Sequence, residues 1–320
     1  MVGVSLLALA RYTLKGPYQA AAIVGLLAVL AVFIPPMTGN NVIGVLLASL
    51  SMLLSCALVG LIILTQGTLS GLKAIGVSML GITLVAWALI NAPELGLWTG
   101  LVQWLPIILL SQTLRSTKSL ALTVLVGVAL GAIAIAVQYL LWGSMEAELI
   151  TQAVQRLGEA AQQQQEMVER NIQILRLFVL AMVAMVYLFI MLILLVARWM
   201  QASLAGSNGF GQEFRGLALG KSAAAFALVL MGLSFWLGQA WLVSLAFLVV
   251  IAFMFQGIAV VHCKLGSWRQ ARLLLGLFYG LLLIFPQVVA LTAVTGVIDN
   301  WLVFRKKSVK PNDDNERDER

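Results

Sequence analysis

Residues 42–64 read VIGVLLASLSMLLSCALVGLIIL, with no charged side chain among them. As a helix rising 1.5 Å per residue, the run is long enough to cross a hydrocarbon core of about 30 Å. Inside lipid every backbone N–H and C=O must find a partner within the protein, so a spanning segment is a helix or a strand of a closed barrel. A barrel strand alternates apolar and polar residues, and this run does not. The stretch predicts a transmembrane helix, and residues 177–197 repeat the pattern in the second half of the chain.

Working outward, the rest of the sequence agrees. Of 320 residues 61% are hydrophobic and 10% charged, against about 25% charged in a soluble globular domain. Spans are expected at 18–34, 42–65, 72–91, 97–113, 119–142, 174–197, 222–237, 241–262, 272–285 and 288–304. Pro106 interrupts the fourth, the seventh is short, and Pro286 makes the last two either separate spans or one bent helix. The fold class is therefore all-α, a polytopic transmembrane bundle of about 8–10 spans. The first segment reads as a retained span, because Arg11 and Lys15 come late and no small-residue cleavage site follows Pro35-Pro36.

Lys and Arg gather in cytoplasmic loops. With ten spans and an inside N-terminus, all but Arg156, Arg170 and Arg176 of the 20 basic residues fall inside. Both termini are thus expected in the cytoplasm, and the location expected is a bacterial inner membrane. The net charge of +7 then answers to topology and anionic headgroups, with no call for nucleic acid.

Four regions follow. Residues 1–143 form an N-terminal bundle of about five spans. Residues 144–172 carry Ile150, Val154, Leu157, Ala161, Val168 and Ile172 at helical spacing amid glutamates and glutamines, which predicts an extracytoplasmic amphipathic helix running into the next span. Residues 173–305 form a C-terminal bundle with a glycine-rich cytoplasmic loop at 198–221. Residues 306–320 are a charged tail expected to be disordered.

Polar groups within spans are costly and so mark either pairing or function. Gln256, His262 and Asp299 sit in the rear spans, with Arg198 and Arg305 at the same boundary. Asp299 is expected to pair with Arg198, His262 or Arg305, as a structural pair or a ligand site. Gly127 with Gly131, and Gly276 with Gly280, each share a helix face and are expected at close helix contacts within the bundle, or at a dimer seam. Cys56 and Cys263 show no metal or redox spacing. One histidine, no P-loop and no paired intramembrane carboxylates leave no metal site, no cofactor and no catalytic constellation to propose.

Three stretches carry a resemblance. They are Arg198-Trp199-Met200-Gln201 with Gly209-Phe210 and Glu213-Phe214; residues 256–262, Gln-Gly-Ile-Ala-Val-Val-His; and residues 296–301, Gly-Val-Ile-Asp-Asn-Trp, ending in Phe304-Arg305. Together they resemble the YybS-like predicted membrane proteins, a bacterial family of unknown function, though Ala205-Gly206-Ser207-Asn208 stands where members often carry a proline. The resemblance implies no catalytic or ligand residue. Its front half is loosely similar to the membrane substrate-binding subunits of vitamin transporters and to a rod-shape membrane subunit, an analogy of fold alone. The function expected is transport-related binding of a small or lipidic ligand within the bundle. The alternative is a non-catalytic scaffold of an envelope or division complex, and an enzyme is not expected. The expected partners are the lipid bilayer and a membrane protein or second copy of the chain.

Overall fold

A computed structural model describes residues 2–39, 41–143, 147–152, 165–207, 209–266, 268–302 and 304. Among these residues every regular element is a helix. Seven helices are long and apolar enough to cross a membrane, or eight if one bent pair counts as a span. The protein is a polytopic helical membrane protein.

In the front half α1 (Val2–Thr13) precedes α2 (Pro17–Met37), α3 (Val42–Gln66) and α4 (Thr68–Ile90). A short α5 (Glu94–Trp98), a π-helical stretch (Thr99–Trp104) and α6 (Leu105–Thr117) together make one span, and α7 (Leu120–Trp142) closes the half. Helix α1 lies ahead of the first expected span and was not foreseen. The π stretch has a cause in the sequence. Pro106 lacks an N–H and its ring crowds the carbonyl one turn back, so the ladder widens just before it; Leu105 N–H bonds the Gly100 carbonyl instead.

Side-chain caps fix two starts. The Asn41 side chain accepts from Gly44 N–H at 2.7 Å, and Ser119 from Leu122 N–H at 3.2 Å, each satisfying a donor that the first helical turn leaves orphaned. Helix α3 is the hub of this half: residues 55–64 are all buried. Ser55 donates to the Val24 carbonyl of α2 and Ser78 of α4 to the Ala21 carbonyl, both at 3.0 Å. These bonds cross between helices where lipid supplies no hydrophobic drive for association.

The rear half begins with α8 (Gln165–Leu204), 40 residues without a break. Its length of about 60 Å is twice a hydrocarbon core of about 30 Å, so it projects beyond the membrane. The expected amphipathic segment 144–172 is helical at 147–152 and from Gln165 onward; 144–146 and 153–164 lie outside the described residues, as does the tail 306–320. Then come α9 (Gly209–Arg215), α10 (Lys221–Leu237), α11 (Ala240–Leu265), α12 (Ala271–Ile284) and α13 (Pro286–Leu302). The seventh expected span is the short apolar α10. The ninth and tenth are α12 and α13, bent by 116° at the break before Pro286.

One end of the bundle is tied by side chains that cap helix termini. Gln66 Nε2 donates to the Leu14 carbonyl at 2.8 Å, Arg115 Nη1 to Ile63 at 2.7 Å, and Gln201 Nε2 to Leu64 at 2.9 Å. The carbonyl end of α3 thus meets a guanidinium and an amide, which suits its dipole. These bonds bring the ends of α1, α3, α6 and α8 together.

Candidate functional site: a buried amide–carboxylate centre

Gln256 lies well inside α11 and is fully buried; Asp299 and Asn300 of α13 are 5% and 8% exposed. They meet because α11 and α13 cross with almost no space between their backbones. A methyl added at Gly257 would collide with the Thr292 carbonyl, and one at Gly296 with the Phe253 carbonyl. Two glycines at one crossing allow that approach, and it presents Gln256 to the last turns of α13.

Gln256 Nε2 donates to Asp299 Oδ2 at 3.0 Å. Its Oε1 accepts from Leu219 N–H at 3.0 Å and from Asn300 Nδ2 at 3.4 Å. Asn300 Oδ1 accepts from Gly220 N–H at 2.9 Å, while Nδ2 turns back to the Gly296 and Val297 carbonyls at 3.0 and 3.1 Å. Leu219 and Gly220 belong to an extended stretch between α9 and α10 in which Leu217 and Leu219 are buried and Ala218 is exposed. Non-helical backbone deep in a membrane protein has to be satisfied by the protein itself. Two side-chain amides do that here, at the N-terminus of α10. Gly220 has φ 95, a left-handed conformation that costs a glycine nothing and other residues energy.

Arg198, Gln256, His262 and Asp299, expected as one cluster, divide into three. Gln256 and Asp299 form the centre. Arg198 faces Glu213 of α9 instead of Asp299: its Nε and Nη2 reach Glu213 Oε2 at 2.9 and 2.8 Å, and Nη1 donates to Gln201 Oε1 at 3.1 Å. His262 Nε2 shares a hydrogen bond of 2.6 Å with the Tyr279 hydroxyl of α12, and Phe214 of α9 meets its ring edge-on at 5.9 Å. The reason is reach: the expected loop 198–221 is helical to Leu204 as the end of α8, and the chain beyond folds back so that Glu213 of α9 meets Arg198. Arg305 lies outside the described residues.

Asn300, Leu219 and Gly220 are not among the site residues expected from the sequence. The Asp299-Asn300 doublet within a span was a usable signal for the first. The backbone donors of the other two had none, since their need follows from a helix break that only the fold reveals.

Among the expected packing glycines, Gly127 sits against Tyr187 and Gly131 against Leu248. Among the described residues Gly276 and Gly280 have no packing partner: a methyl at either meets nothing within 4 Å, and α12 has no buried residue. Spacing puts two glycines on one face without saying what that face meets. Close crossings built on glycine also occur at Gly257 with Gly296, and at Gly96 and Gly100 against Thr83 and Met79 of α4.

A second set of buried polar atoms lies along the π-helical span. Gln103 Oε1, Trp104 Nε1 and Ser111 Oγ are buried without a hydrogen-bond partner. Ser111 abuts Gly60 of α3, where an added methyl would stand 3.1 Å from both its hydroxyl and Ala197 Cβ. The packing there is too close for a guest. Among the described residues no group of three or more His, Cys, Asp or Glu side chains could hold a metal ion. Comparison of the chain with protein-family models, with curated proteins and with solved structures finds no match in any of the three.

Proposed function

We propose that this multi-pass membrane protein is transport-related and takes a small or lipidic ligand into its rear half, at Gln256, Asp299 and Asn300. One observation carries the reading: a buried carboxylate and two amides meet the non-helical chain between α9 and α10. Discontinuous helices with polar groups at the break are how many secondary transporters build substrate and ion sites, and an ionisable residue within a span is by default a functional candidate. The membrane is a bacterial inner membrane in this reading. Both termini face the cytoplasm, on the side where Arg115, Arg198 and the start of α10 gather.

Native mass spectrometry of the detergent-purified protein tests the ligand. The expected result is a co-purifying small molecule or lipid that survives delipidation and is lost from folded Asp299→Asn and Asn300→Leu. An empty protein, or the same adduct in both variants, sinks the reading.

A second reading, a scaffold for an envelope or division complex, is favoured by α12. It is apolar, without a buried residue, and its two glycines face no neighbour. The likeness to the YybS-like family fits either reading and selects neither. No catalytic role is proposed.

A further inference from the structure

The centre is buried, so any ligand needs a route to it. Among the described residues, two of the elements that bond it are helices locked at the Gly257–Gly296 crossing. The stretch that contributes Leu219 and Gly220 also bonds it, and it differs in kind. It belongs to a strap, residues 209–220, and positive-φ glycines flank it: Gly206 before it at 66 and Gly220 at its end at 95. Such glycines absorb backbone rotation that other residues resist. Leu217 and Leu219 plug the bundle while Ala218 faces out, an alternation of extended chain. The strap is held down from α8 by Arg198–Glu213, whose side chains remain 24% and 21% exposed, and from α11 by Phe214 against His262.

We infer that residues 209–220 form a gate over the Gln256–Asp299–Asn300 centre, hinged at Gly206 and Gly220 and latched by the Arg198–Glu213 ion pair. This rests on reading the centre as a ligand site, and deepens it by naming the entrance. The latch is a partly exposed ion pair that water and salt reach. Its release frees α9 to swing on its glycines and lifts Leu217 and Leu219 off the centre. The hydrogen bonds at Leu219 and Gly220 set the closed position.

Access is measured directly on the full chain in nanodiscs. Leu219→Cys, in a Cys263→Ser background, reports closure by its rate of reaction with a membrane-impermeant maleimide; Ala218→Cys, already exposed, is the reference. Glu213→Gln is expected to raise the Leu219→Cys rate about fivefold, the scale of one partly exposed ion pair. Exchanging the charges, Arg198→Glu with Glu213→Arg, restores the slow rate. Raising ionic strength speeds Leu219→Cys with the latch intact, because salt screens the pair, and this arm decides the matter if a latch variant does not fold. The gate is overturned by a Leu219→Cys rate indifferent to both Glu213→Gln and salt, or by a raised rate that charge exchange leaves raised. No ligand enters this measurement, so a failed gate is distinguishable from a centre that captures nothing.

Discussion

Helices α3 and α11 are the hubs of their halves, and they are held in different ways. Residues 55–64 of α3 are buried among apolar side chains, and the one hydroxyl in that run, Ser55, donates to a neighbouring helix's backbone. Residues 252–260 of α11 are equally buried, but Gln256 among them holds an acid, an amide and a stretch of non-helical chain. Along α3 the other hydroxyls bond within their own helix, as Ser49, Ser51 and Thr65 do. Around α11 the side chains serve backbone donors that have no helix to serve them. A front half built this way tolerates loss of one polar group, because its helices remain satisfied. The rear half loses several bonds at once when one amide goes.

That contrast orders the effects of substitution. Gly257→Leu is expected to be the most damaging, because the new side chain meets the Thr292 carbonyl at a locked crossing; overpacking costs about 1–3 kcal/mol and here more. Monodisperse yield on size exclusion should collapse, and a normal yield would mean that α11 and α13 do not cross there. Gln256→Leu comes next. It strands the Leu219 N–H and removes a donor from Asp299, at about 1–3 kcal/mol for each buried group left unsatisfied. Detergent melting should fall well below the parent. Ser55→Ala, the matched change at the α3 hub, removes a hydrogen bond worth about 1 kcal/mol net, so its melting shift should be the smaller of the two. Equal shifts would erase the distinction between the hubs. Gly276→Leu is expected to leave melting of the isolated chain unchanged, since α12 offers open space; a large loss would show that this face is covered.

Much of this architecture was legible because the strongest signal in a membrane sequence is a long apolar run. Residues 42–64 needed no context to be read as a span, and α11 and the membrane part of α8 were as plain. Pro106 and Pro286 marked the two places where helices are disturbed, though not what form the disturbance takes: one became a π stretch, the other a bend of 116°. Helix α1 escaped because twelve residues are too few to register as a span. The site was legible as a set of costly residues and illegible as a set of pairs. Asp299, Gln256, His262 and Arg198 share a boundary in sequence terms, but their partners depend on how 205–220 returns over the bundle. A glycine-rich loop gives no hydrophobic period from which that path could be read. For the same reason Gly276 and Gly280 drew notice by their spacing, while Gly257 and Gly296, on different helices, have no spacing to notice.

The central claim is that two side-chain amides hold non-helical backbone inside the rear half. Amide hydrogen exchange of the protein in nanodiscs, resolved at Leu219 and Gly220, tests it most directly. Both amides should exchange slowly beside those of a solvent-facing loop, and Leu219 should lose protection in Gln256→Leu while Gly220, held by Asn300, keeps more of its own. Rapid exchange at both positions in the unaltered protein would contradict the account.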